Sequence, residues 1–160
     1  METKKKYELS SKTIEIDGTI LHRIKALKDF SDVKAGDLGG WIEKEDNLSQ
    51  IDDAWVRGNA KVYGNAIVEG NAKVFGNALV CGNARVHGYA RIYGNAKVFG
   101  KAEVYGDAVV CDNAKVFGNA HVLGNAEIYG KSMVYGDAQV YGRARIFGNA
   151  IVFGDSKVCG

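Results

Sequence analysis

Residues 53–82 read DAWVRG NAKVYG NAIVEG NAKVFG NALVCG, and the same six-residue unit continues without an inserted residue to Gly160. From Asp53 onward there are 18 such units, with alanine at position 2 in 16 of them, valine or isoleucine at position 4 in all, and glycine at position 6 in 17. An α-helix repeats its apolar stripe every three or four residues, so this spacing excludes a helix; positions 2 and 4 alternate as a strand does. Each unit is therefore one short strand, and the Gly-Asn or Gly-Asp step between units is a turn signal, because both residues tolerate positive φ. Strands this short, always turning the same face inward, require a coil that turns in one sense. Three units per turn give a triangular prism in which each strand pairs in parallel with the strand three units further along the chain. The expected fold is all-β: a hexapeptide-repeat parallel β-helix of about six regular three-sided coils, about 29 Å tall.

Composition agrees. The chain has 160 residues, 21 glycines and no proline, which is neither a collagen nor a linker composition. A net charge of +2 points to no nucleic-acid partner. No apolar run reaches the length of a membrane span or a signal peptide, so no membrane partner is expected. The three cysteines, Cys81, Cys111 and Cys159, do not recur at the coil period, so they fall on three different faces and form no intrachain disulfide. Reduced outward thiols predict a cytoplasmic setting.

These repeats, together with the segment Gly36-Asp37-Leu38-Gly39-Gly40-Trp41-Ile42, resemble the hexapeptide-repeat, left-handed β-helix proteins and, within them, the YdcK-like group of bacteria and phages, whose repeats read V-Y-G-N-A. Left-handed coiling is what the resemblance implies; the spacing does not set it. The group carries a transferase label inherited from the wider fold, and fold alone is weak ground for function. Its phage members add a binding role directed at a host factor to what the resemblance implies.

The chain divides into residues 1–34, a β-rich cap with an Asp17-Gly18 hairpin signal; residues 35–52, a degenerate first coil with Gln50 in the mid-face slot and Leu48 in the alanine slot; and residues 53–160, the repeat. The repeat stops in phase at Gly160, which predicts an open last coil met by a second copy end to end, by a protein partner, or by a further cap. Val158 lies in that coil.

Outward residues sort into three faces. The first begins with Trp55 and Arg57, the second with Lys61 and Tyr63, the third with Ile67 and Glu69, and each face gains one such pair per coil. Position 5 is aromatic in 11 of the 18 units, which predicts ladders of rings that either stabilise the prism or form an interface. On the second face Phe117, Met133, Tyr135, Ile151 and Phe153 join into an apolar patch of the kind that marks binding sites. Hexapeptide-repeat enzymes are typically parallel trimers, so the resemblance implies a lateral trimer through this face, in competition with the end-on dimer.

Acyltransferases of this fold class use a histidine and a loop extruded from the coils to wall an acyl-CoA cleft. Here no loop interrupts the repeat, which argues against an enzyme. The alternative active site would use His121, Glu103 and His87 on the third face, with Glu103 one strand from His121 and within reach of it. A metal site like that of γ-class carbonic anhydrases is not expected, since His87 and His121 lie two strands apart, roughly 9.6 Å. No cofactor is expected. The reading is a non-enzymatic β-solenoid that self-associates and engages a protein partner.

Overall fold

A computed structural model describes residues 4–160. Strands β1 (Tyr7–Ile16) and β2 (Thr19–Ala26) form an antiparallel hairpin with Ile16 opposite Thr19, and both turn residues have positive φ, Asp17 at 47° and Gly18 at 82°. That is the turn whose twist matches a hairpin. Strand β3 (Leu38–Ile42) pairs antiparallel with β2 and in parallel with the first repeat strand on the second face, so the cap extends one face of the prism into a nine-stranded sheet. The repeat supplies 18 strands of two or three residues, from Trp55–Val56 to Lys157–Cys159, six to each face, and the first and third faces are six-stranded parallel sheets. The register is 18 throughout, from Trp55 opposite Lys73 to Tyr141 opposite Cys159.

The core follows from the unit. Alanine at position 2 and valine or isoleucine at position 4 are fully buried from Ala54 to Ile128. Each buried valine contributes about 1.5–3 kcal/mol before chain entropy is subtracted. Position 6 closes each corner before the last unit with positive φ, and the coils stack so closely there that a Cβ on Gly100 (φ 68°) would stand 2.8 Å from the backbone nitrogen of Gly118. Asp112 is the one non-glycine at this position, and at φ 57° its Oδ2 accepts a hydrogen bond from the Gly130 N–H at 3.0 Å. Asp tolerates this region better than most residues because its short side chain bonds locally.

The top coil departs from the expected slots. Ile42 lies opposite Val62 and Leu48 opposite Val68, a register of 20, so Leu48 takes a mid-face slot and not an alanine slot. Gln50 does not enter the core. Its Oε1 accepts from the backbone N–H groups of Lys6 and Tyr7 at 2.8 and 3.2 Å, and its Nε2 donates to the Tyr7 carbonyl at 3.2 Å. An amide among alanines and valines would lack these partners, and burying it unpaired costs free energy. Asn47 is also buried; its Nδ2 donates to the Gly64 and Ala66 carbonyls at 3.1 and 2.8 Å, standing in for backbone that the irregular coil does not supply. Trp55, expected to face outward, is covered by the cap at 2% exposure, edge-on to Phe30 and Tyr7 at ring-centre distances of 5.2 and 6.2 Å.

At the opposite end the last coil exposes its core slots. Ala150 and Ser156 are exposed, and Val152 and Val158 half-buried. Among the described residues no helix is long and apolar enough to cross a membrane.

Candidate functional site

On the third face parallel register places Arg85, Glu103 and His121 in one column and His87 and Tyr105 in the next. Glu103 and His121 are backbone neighbours, yet the expected side-chain pair does not form. Glu103 Oε2 turns instead to His87 Nε2 at 3.6 Å. The rings decide this: His87 stacks on Tyr105 with centres 4.9 Å apart and planes 4° apart, which aims the imidazole edge at Glu103. His121 lies edge-on to Tyr105 at 6.3 Å and 87°. A carboxylate orienting an imidazole therefore exists here, but with His87, and both groups are about one-third exposed, at 31% and 30%. His121 lines a shallow groove of about 390 Å³ with Tyr105, Leu123, Gln139 and Tyr141. The three candidate catalytic residues are thus divided by the Tyr105 ring. Among the described residues no group of three or more His, Cys, Asp or Glu side chains converges on a metal position.

On the second face the position-5 rings from Phe99 to Phe153 form one continuous stack. Phe99 and Phe117 are 4.8 Å apart with planes at 2°, Phe117 and Tyr135 4.8 Å at 8°, Tyr135 and Phe153 5.7 Å at 17°. Met133 and Ile151 are strand neighbours in the adjoining column. Phe117, Met133 and Tyr135 are half-buried, while Ile151 and Phe153 are 52% and 57% exposed. These five residues form one patch. Val158 lies on the third face of the last coil, in its mid-face slot.

The first-face ladder is shorter, with Phe75 stacked on Tyr93 at 4.8 Å and Tyr129 on Phe147 at 5.4 Å. Cys111 separates the two pairs. Each cysteine stands one coil after a tyrosine: Cys81 after Tyr63, Cys111 after Tyr93, Cys159 after Tyr141. Burial pushes the Cys81 and Cys111 thiols above their ordinary value, and burial with the Cys81 thiol beside it pushes the Tyr63 phenol up to about 12. Raised thiols are poor nucleophiles, which makes them packing groups. Lys6 in the cap and Asn47 in the first coil are buried structural groups that the sequence does not flag, since nothing in their spacing separates them from solvent-facing residues.

A family model described as the YdcK β-solenoid repeat matches residues 138–154 and 144–160. The chain is similar to a protein of Escherichia coli (strain K12) named uncharacterized acetyltransferase YdcK, at 39% identity over 72 residues, covering 39% of this chain and 22% of that protein. The match thus spans about a fifth of the relative's length.

Proposed function

Starting from a YdcK-like hexapeptide-repeat protein, we propose that this chain works in the cytoplasm as a β-solenoid binding and assembly module, self-associating through the apolar patch of its second face and last coil. The observation that supports this reading most strongly is the continuity of the patch. Phe117, Met133 and Tyr135 carry an apolar surface without a break to Ile151 and Phe153, both more than half exposed. Contiguous exposed apolar surface of this kind marks an interface. An uninterrupted repeat fits the same reading, because coils without loops offer faces and not clefts. Light scattering at micromolar concentration tests it: the wild type should run as an oligomer and Phe153→Glu as a monomer. Val158→Glu distinguishes an end-on contact, which it would weaken, from a lateral one.

A second reading is favoured by the groove beside His121 and by the name of the E. coli relative: an acyltransferase taking an acyl-CoA donor, with His121 or His87 as the base. Calorimetric titration with acetyl-CoA separates the two readings. Micromolar affinity lost in His121→Ala or His87→Ala supports the enzyme, and no heat removes it.

A further inference from the structure

The upper half of the second face has a different chemistry from the patch below it. Its outward columns hold Lys61, Leu79, Lys97 and Lys115 beside Tyr63, Cys81, Phe99 and Phe117, and the whole face carries no outward carboxylate at position 3 or 5. Lys97 and Lys115 are directly opposed in adjacent parallel strands, and both are exposed. Lys101 and Lys131 stand exposed at the flanking corners.

Like charges opposed across a sheet destabilise it. Elsewhere on the prism four bases have found acids, Arg57 with Asp32, Arg85 with Glu69, His87 with Glu103 and Arg145 with Glu127, all on the first and third faces, although Lys73 and Arg91 are also directly opposed on the first face. Among the described residues none of Lys97, Lys101, Lys115 and Lys131 is ion-paired. The fold gains nothing from the Lys97–Lys115 opposition.

We propose that this half of the second face docks an acidic protein surface, a β-strand or sheet that presents carboxylates to Lys97 and Lys115 and apolar side chains to the ring ladder. The carboxylates would neutralise the opposed lysines, and charge complementarity of this kind steers and orients a partner. Three features favour protein over other anions. The rings of Phe99, Phe117 and Tyr135 lie face to face, which closes their faces to stacking bases and leaves only their edges outward. The cations are all lysine, without the guanidinium fork that grips phosphate in two places. Between Lys97 and Lys115 the rings are half-buried in the ladder, so no apolar group stands out to enter a lipid surface. A second copy of this lysine-bearing half is excluded by its own charge. This surface overlaps the self-association patch lower on the face at Phe117 and Tyr135 and differs from it in resting on Lys97 and Lys115.

The test is fluorescence anisotropy with a labelled synthetic peptide alternating glutamate and valine, set against its lysine-valine counterpart, oligothymidylate, and vesicles of phosphatidylserine and phosphatidylcholine. The variant is Lys97→Glu, which places a carboxylate opposite Lys115. The acidic peptide should bind in a salt-sensitive manner and lose about tenfold in affinity in the variant, equivalent to about 1.4 kcal/mol, while the melting temperature of the variant rises. Stability and binding moving in opposite directions is the signature. No binding of the acidic peptide, binding unaltered by Lys97→Glu, or a lowered melting temperature would overturn the proposal. Tighter, lysine-dependent binding of oligothymidylate or of the vesicles would also overturn it, reassigning the face to that ligand.

Discussion

The Nζ of buried Lys6 donates to the carbonyl oxygen of Ala54 at 2.6 Å and to that of Asp52 at 2.9 Å, closing the top of the prism with an ammonium group. The Asp52 carboxylate lies 3.8 Å away, and the Phe30 ring centre 5.0 Å. Lys6→Met keeps an unbranched side chain, one heavy atom shorter, and removes both hydrogen bonds. The buried Ala54 carbonyl left without a partner carries a desolvation penalty of about 1–3 kcal/mol, while the part-buried Asp52 carbonyl can turn to water. The variant should lose stability in that range in urea denaturation, with the prism below still folded by circular dichroism.

The same lysine makes stability depend on pH. Burial lowers its pKa from the ordinary 10.5 to about 8, against the opposing pull of Asp52. Between those values the unfolded chain holds a proton that the folded chain has released, so raising the pH from about 8 to 10.5 stabilises the fold through this group. Tyr63 acts in the reverse sense. Its phenol is raised from 10.0 to about 12, so its contribution is complete below 10 and is lost as pH rises toward 12. Burial also raises the pKa of Tyr7. Melting temperatures should therefore climb from pH 8, turn over beyond pH 10, and lose the climb in Lys6→Met.

Two corner glycines separate backbone strain from crowding. Gly148 has φ 65° with open space where a Cβ would go, whereas Gly100 has φ 68° with backbone 2.8 Å from that position. Gly148→Ala should cost about 1–2 kcal/mol, the penalty of left-handed backbone for an L-residue. Gly100→Ala should cost more, because the coil below must also shift. Equal losses in denaturant titration would show that the coils are not in close contact at the corner.

Ladder rungs should not be equivalent. Phe117 stacks on a ring at each side, at 4.8 Å, and Phe75 on Tyr93 alone. With about 0.5–1.5 kcal/mol for each aromatic pair beyond area burial, Phe117→Ala should cost about twice the stacking loss of Phe75→Ala. Comparing the melting midpoints of the two variants checks this.

The parts of the molecule that repeat are legible in the sequence, and the parts that do not repeat are not. Alanine and valine at fixed spacing leave one way to bury themselves, which is why the register of 18 and the three columns follow from counting. The hairpin at Asp17-Gly18 is equally local. In the top coil, by contrast, Leu48 and Gln50 answer to partners distant in the chain, Val68 for one and Lys6 with Tyr7 for the other. Two extra residues shift that coil's register to 20, and counting in eighteens puts both side chains in the wrong slots. Trp55 departs from its expected exposure for the same reason, since its cover comes from the cap. At the candidate site, position in a column follows from the repeat and side-chain direction does not. Stacking of His87 on Tyr105 turns Glu103 away from His121, and a choice between two neighbours at strand spacing depends on ring packing.

Multi-angle light scattering across micromolar concentrations tests the assembly reading most directly, with wild type, Phe153→Glu and Ile151→Glu run side by side. The account predicts a wild-type mass that is a whole multiple of the 17.3 kDa chain and a return to 17.3 kDa in both variants. A wild-type mass of 17.3 kDa at every concentration would contradict it.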